Sequence, residues 1–409
     1  MKKELLQTVK GMRDFNFDDM VLRERMISVI TANFRSFGYL PIETPTLEKY
    51  DLLMDKYGEE ADKLIYNFTD RGGRRLGMIY DLTVPLSRYV AQNYNSIKFP
   101  FKRYQIQRVY RCENTQRGRF REFYQCDIDY LGSDSADIEG EILSATAKIL
   151  RELGLGEFEA EINFRDRLNA FLSEKGIPDG QSALFLRAID KLDKTSEEDV
   201  CRYLKENGFQ SDAGKLIRAL KEEYEPPAVF SEIRNYYKAL GGSSEELKFN
   251  PLLARGLSYY TGPVFEFKLK GADMGTVAGG GRYDGLVEAL IDKKVPACGI
   301  ALGFERLFEI LKTVGGTSDN IEYFIANLGN RAIELELLRM LTEKKRRVFY
   351  YPDRSVKLGA QLRYASEMKT VYALLVGDEE ASSDSVAVKD LKKKEQKVKT
   401  LKVFREELK

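Results

Sequence analysis

The 409-residue sequence contains no histidine and no tryptophan. Without an imidazole there is no Ser-His-Asp triad, no Cys-His dyad and no histidine-liganded metal site. Acid–base work must fall to Asp, Glu, Lys, Tyr or the substrate. Cysteine is scarce, and Cys112, Cys126, Cys201 and Cys298 form no CxxC pair. That argues against a zinc knuckle or a redox dithiol, so no metal site is expected in the protein, and it fits a reducing, cytoplasmic setting. No run of about 18 apolar residues occurs, so no membrane span is expected. The opening MKKELLQTVKGMRDF has no signal-peptide-like apolar stretch. Charge of one sign is missing too: 65 Lys+Arg against 64 Asp+Glu leave a net charge of +1, so contact with nucleic acid must rely on local patches. What is present, 43% apolar residues over this length, suffices for full cores in two or three domains.

The most informative stretch is 108–132, RVYRCENTQRGRFREFYQCDIDYLG. It reads as strand, loop, strand. Arg111 and Glu113 close the first strand, a polar loop spans 114–118, and Arg119 and Arg121 open the second strand. Alternation places Arg119, Arg121, Phe123, Gln125, Asp127 and Asp129 on one face. Arginines suit phosphate and an aromatic face suits a base. The plain alternative is a solvated hairpin laced with cross-strand ion pairs.

Around this stretch the periodicity changes several times. Residues 1–164 read as mixed helix and strand. They include a helix over 18–37, a strand over PIETPTLE, a strand ending in DLTVP, a helix over 86–92 begun by Pro85 and an amphipathic helix over 139–153. Residues 165–248 read as helices, with Gly176, Gly208 and Gly241 as stops. Residues 249–312 return to strands and one helix. Segment 312–320 has a linker composition. Residues 321–409 alternate strands and helices, predicting a small α/β domain with a mostly parallel sheet. LKKKEQKVK near the end is basic, and such runs are commonly solvated hairpins. The run Gly279-Gly280-Gly281 has no following Lys-Ser/Thr, so it is better read as a strand needing close approach than as a P-loop.

These features resemble the class II aminoacyl-tRNA synthetases, in the histidyl-tRNA synthetase form. Segment 108–132 is similar to motif 2. The helix at 18–37 with Pro45 resembles motif 1, and PACGIALGFERLFEIL (296–311) resembles motif 3. LLARGLSYYTGPVFEF (252–267) and AGGGRYDGLVE (278–288) resemble the two peptides particular to the histidyl enzymes. The resemblance implies an α+β catalytic core with an antiparallel sheet (1–164 and 249–312), an inserted helical domain at 165–248 associated with the tRNA acceptor arm, and an anticodon-binding domain at 321–409. It implies a homodimer formed through motif 1, with histidine, ATP and tRNA(His) as substrates and Mg2+ accompanying ATP.

Residue by residue, the resemblance assigns Arg111 to the α-phosphate and the substrate carboxylate. Glu113 goes to the adenine side, Arg119 and Arg121 to the β- and γ-phosphates, and Phe123 and Arg306 to the two faces of adenine. Arg255 takes the α-phosphate position that a metal holds in other class II enzymes. Asp81, Thr83 and Gln125 would receive the α-ammonium group. Asp129 and Tyr260 would meet the imidazole nitrogens, with Tyr259 beside them. Ser258 departs from the family pattern, which has Asp there. A paralogous family, the regulatory subunit of ATP phosphoribosyltransferase, keeps the fold and a GLxYYTG-like peptide without charging tRNA. It is the alternative reading, disfavoured by the retained arginines and the C-terminal segment. The resemblance also gives the missing histidine a second reading beside compositional drift: an enzyme that charges histidine can be made during histidine shortage.

Overall fold

Alternation along the central strands produces one apolar and one polar face, and the main sheet uses both. In the computed structural model, residues 6–57, 64–193, 195–255, 259–314 and 321–408 are described. The chain divides into two compact units, Met1–Gly316 and Thr317–Lys409. Among the described residues no helix is long and apolar enough to cross a membrane.

The strands of the first unit are β1 (Leu40–Pro41), β2 (Leu47–Lys49), β3 (Asn67–Thr69), β4 (Arg75–Met78), β5 (Phe101–Tyr110), β6 (Glu122–Leu131), β7 (Phe158–Phe164), β8 (Leu247–Phe249), β9 (Pro263–Leu269), β10 (Thr276–Arg282) and β11 (Ala297–Gly303). Eight of them form one sheet in the order β1-β5-β6-β11-β10-β9-β7-β8. It is antiparallel except at its margins, where β1 runs parallel to β5 and β8 to β7. This is an α+β architecture with an antiparallel sheet. The three short strands β2, β4 and β3 form a separate small sheet.

The apolar face of the large sheet carries Cys126, Ile128, Phe265, Phe267, Cys298, Ile300 and Leu302. Helices Phe17–Ser36, Asp137–Glu152 and Phe304–Val314 cover it. Helix Asp137–Glu152 was expected to be amphipathic, yet it is buried on most sides, from Ile138 to Leu150. The reason is a second layer. Helix Ala228–Ala239 inserts Phe230, Ile233 and Tyr237 into the same core. Gly140 permits this approach, since a Cβ there would lie 2.8 Å from Tyr236 Cβ.

Helices Arg165–Glu174, Asp179–Ile189, Glu197–Glu206 and Ala213–Glu223 share their own core, including Leu168, Phe185, Leu204 and Ile217. The helical block read at 165–248 thus contains one helix, Ala228–Ala239, whose partner is the sheet layer. Gly176, Gly208 and Gly241 follow helices with φ of 74°, 80° and 90°, a left-handed conformation that glycine reaches without steric cost. Segment 249–312 holds two helices rather than one, Gly285–Ile291 and Phe304–Val314.

The second unit has β12 (Tyr323–Ile325), β13 (Val348–Tyr350), β14 (Tyr372–Leu375), β15 (Ser385–Asp390) and β16 (Gln396–Thr400), ordered β13-β12-β14-β15-β16. The expected mostly parallel sheet is mixed. β12 is parallel to β13 and β14, but β14–β15 and β15–β16 are antiparallel. Parallel neighbours need crossovers of about a dozen residues or more. The connection through 376–384 is too short, and the basic run turns the β15–β16 hairpin.

Candidate active site

The polar face of the large sheet is the floor of a cleft of about 1210 Å³. β6 contributes Phe123, Gln125, Asp127 and Asp129 to it at every second position. Its neighbours pair so that Gly303, Ala301 and Gly299 of β11 lie opposite Gln125, Asp127 and Asp129. On the other side, Gln107, Gln105 and Arg103 of β5 occupy the same registers. Small residues on one flank and polar ones on the other leave room for a ligand above the carboxylates. From Phe123 to Asp129 the strand advances roughly 20 Å.

Guanidinium groups gather near the Phe123 end. Arg111 donates from Nε to the Tyr80 carbonyl at 3.0 Å, and its guanidinium carbon lies 4.3 Å from the Tyr80 ring centroid and 5.1 Å from that of Phe123. Glu113 accepts from the Tyr80 hydroxyl at 3.1 Å. Burial pushes that hydroxyl up to about 12, against Arg111 and with the Glu113 charge, so it remains a neutral donor. Arg306 donates to the Thr276 carbonyl and packs under Gly118 of the motif 2 loop. Its pKa is lowered by burial first and then by Arg119, with Arg255 and Arg111 adding to the effect. This mutual repulsion records four cations converging on one space, an arrangement suited to polyphosphate.

Arg255 reaches the floor from the 252–267 peptide. Its Nη1 lies 3.1 Å from Glu266 Oε1. Its φ of 45° is left-handed, uncommon for a residue with a side chain. A Cβ on Gly279 would overlap the Arg255 guanidinium, and one on Gly281 would strike Pro263 and Tyr260. The glycine run therefore clears space for these side chains, and Gly280 does the same for the backbone of β11.

At the far end Asp129 is buried between Arg103 and Tyr283. Arg103 Nη2 lies 2.6 Å from Asp129 Oδ2, and the Tyr283 hydroxyl donates to Oδ1. The Arg103 contact is ionic without hydrogen-bond alignment, which leaves Oδ2 open to a further donor. Burial raises the Asp129 pKa, and Arg103 opposes that rise. Gly299 is required beneath it, because a Cβ there would collide with the carboxylate. Tyr283 is aimed by its neighbour Arg282, whose Nε donates to the buried Glu139 at 2.7 Å. Tyr259 and Tyr260 pack with their rings tilted at 53° and 4.8 Å between centroids, and Tyr259 meets Tyr283 edge-on at 6.1 Å.

Asp81 accepts from the backbone N–H groups of Thr83 and Val84 at 3.0 and 3.1 Å, starting helix Thr83–Gln92. Asp81 and Thr83 also line the cleft. Of the residues assigned from sequence, Arg121 alone is absent from the lining. The strand begins at Glu122, after the expected Arg119 and Arg121 start, so Arg121 leaves the alternating face. Its Nε donates to the Glu113 carbonyl at 3.1 Å, its backbone N–H donates to Gly11, and its stem packs on Gly11. Ser258 lies outside the described residues.

The cleft also contains Tyr80, Tyr283 and Glu266, to which the sequence assigned no role, and Asp127, which alternation had placed on its polar face; Arg103, fully buried, meets Asp129 from outside the lining. Arg103 had a signal, since Arg103, Gln105 and Gln107 alternate as polar residues along β5 in the pattern seen on β6. Asp190 and Asp193, following helix Asp179–Ile189, reach the cleft from the helical insertion. Asp193 pairs with Lys268 at 3.1 Å.

A family model described as histidyl-tRNA synthetase matches residues 11–307, and one described as anticodon binding domain matches residues 323–409. The chain is similar to a protein of Clostridium tetani named histidine–tRNA ligase, with 35% identity over 433 aligned positions covering 96% of this chain and 95% of that one. It has the same level of identity, 35%, to the histidine–tRNA ligase of Rhodopirellula baltica, over 95% of this chain and 94% of the relative. Among solved structures it resembles a histidyl-tRNA synthetase from Nostoc, with a TM-score of 0.84 and 26% identity over 98% of both chains.

Proposed function

Since the chain belongs to the histidyl-tRNA synthetase family, we propose that it activates histidine with ATP and transfers the histidyl group to the 3′ end of tRNA(His). The observation that carries this reading is the polarity of the cleft, lined by the guanidiniums of Arg111, Arg119, Arg255 and Arg306, with Asp129 and Tyr283, backed by Arg103, about one extended ligand length from Phe123. In activation, a histidine carboxylate oxygen bonds to the α-phosphorus of ATP. The bond to the bridging oxygen breaks, and pyrophosphate leaves with its electron pair. Arg111 and Arg255 are proposed to neutralise the charge gathering at the α-phosphate. Arg119 takes the outer phosphates, with Glu113 at the adenine edge and Phe123 and Arg306 at its faces. Arg121 is proposed to support the Glu113 backbone rather than to touch ATP.

Asp81, Thr83 and Gln125 receive the α-ammonium group. Asp129 accepts one imidazole N–H, and Tyr260 meets the other nitrogen, with Tyr259 alongside. Mg2+ enters with ATP as part of the substrate. The described residues contain no cluster of three or more potential metal ligands, while Glu113 and Glu266 line the cleft, in keeping with a metal held mainly by phosphates and water. The match of 323–409 to an anticodon binding domain supports recognition of tRNA by the second unit. Phe17 and Leu40 of motif 1 are 80% and 67% exposed, which supports burial of that surface in a homodimer.

The test is ATP–pyrophosphate exchange across the amino acids, followed by charging of tRNA(His). Histidine-dependent exchange by this chain alone and formation of histidyl-tRNA are expected. The regulatory-subunit alternative predicts neither, so a folded protein with no exchange in MgATP would favour it.

A further inference from the structure

Several carboxylates that line the cleft have evident partners. Asp129 has Arg103 and Tyr283, Asp81 has two backbone N–H groups, Glu113 has Tyr80, and Glu266 has Arg255. Asp127 is 3% exposed and lies between Gln125 and Asp129 on the cleft face of β6. It accepts only from the neutral Gln125 amide, at 3.0 and 3.3 Å, and no Lys or Arg among the described residues is within ion-pair distance. The Gln125 carbonyl oxygen is itself buried without a donor. A carboxylate with no cation in ion-pair contact and a carbonyl oxygen without a donor, adjacent and lining the same cleft, ask for a cation with several N–H donors.

We infer that Asp127 is a further binding residue for the α-ammonium group of the amino-acid substrate, acting with the Gln125 carbonyl oxygen. The assignment rests on the amino-acid-activating function proposed above. It implies a proton linkage. Burial holds the Asp127 carboxyl well above the usual range; Arg103 opposes this, while the Asp129 and Asp81 charges reinforce it. Burial thus disfavours the charged form of Asp127 without substrate. The arriving ammonium stabilises the carboxylate, and the acid proton leaves to solvent. Histidine affinity then rises with pH through the unliganded titration of Asp127. The chain has no histidine of its own to add to this titration.

Calorimetric binding to the full chain at several pH values, in two buffers of different ionisation enthalpy, tests the assignment. The ligands are histidine and imidazolepropionate, which keeps the ring and the carboxylate but has no amine. Histidine should release up to about one more proton than the analogue. Asp127→Asn should abolish that excess and weaken histidine roughly tenfold to a hundredfold, leaving the analogue within about threefold. Equal proton release by both ligands at every pH in the unmodified chain overturns the assignment, and that comparison does not depend on the variant folding. So does Asp127→Asn binding histidine normally, or losing both ligands alike. If the unmodified chain binds neither ligand, the proposed function itself falls.

Discussion

Arg255 combines a left-handed backbone with a guanidinium held over the glycine floor. Its side chain is mostly buried yet lines the cleft, so its value lies in charge delivered to a desolvated reaction centre. Arg255→Ala should lower pyrophosphate exchange about 100- to 1000-fold, the loss typical of removing one donor to a developing oxyanion. Circular dichroism should show an unchanged fold, and near-normal exchange would remove Arg255 from the chemistry. Asp127 gives a stability prediction of the opposite sign. Its folded pKa is raised above the ordinary value of 3.8. The folded state therefore binds more protons than the unfolded one, and stability is lost as pH climbs through the folded pKa. Asp127→Asn should raise the thermal midpoint at neutral pH, and the gain should vanish as pH falls toward 3.8. An equal midpoint at every pH would show that burial of Asp127 carries no cost.

The strands and helices were readable to the extent that their pattern is local. Helix Phe17–Ser36 lies within one residue of its expected span. β6 shows the expected polar alternation from Phe123 onward, because a period of two places alternate side chains on one face. Helix Asp137–Glu152 was recognised, but its burial was not, because the second covering helix arrives from far along the chain. The N-terminal segment was unreadable for the same reason. Arg13 lies 3.3 Å from the Phe120 ring centroid in the motif 2 loop and pairs at 2.6 Å with both Glu305 and Glu309 of the motif 3 helix. It thus ties together the two elements that carry Phe123 and Arg306. Arg23 holds Glu305 from the other side at 2.7 Å, so the helix keeps one anchor when Arg13 is removed. Arg13→Ala should raise the KM for ATP roughly tenfold through loosened geometry, with a smaller effect on histidine. Equal changes in the two constants would indicate general destabilisation.

The division into Met1–Gly316 and Thr317–Lys409 supports a cut at the linker. Each unit has its own hydrophobic core, the second built on Leu337, Leu341, Leu374 and Phe404. Deleting 321–409 should leave a folded protein that activates histidine at near-parental rate and charges tRNA poorly. Full aminoacylation by the shortened chain would show that the second unit is no anticodon reader. With a net charge of only +1, the intact protein should still lose tRNA affinity as salt rises, since phosphate contacts release counterions from local patches.

Short-range periodicity was enough to specify the main helices and the polar alternation of β6, while the resemblance of the motifs to the family implied the α+β core and most residues of the cleft. The local signals worked because alternation and turn signals act over a few neighbours. They erred at Arg121, where the strand starts later than alternation suggested. They also failed wherever a side chain is defined by what lies across the sheet. Tyr283 reaches Asp129 from 154 positions away, and Arg103 meets it only because β5 and β6 pair in one register. Strand pairing, the crowding that demands glycine at 279 and 299, and the lack among the described residues of a cation within ion-pair distance of Asp127 are properties of neighbours in space. They follow from packing and desolvation after folding, and no local window contains them.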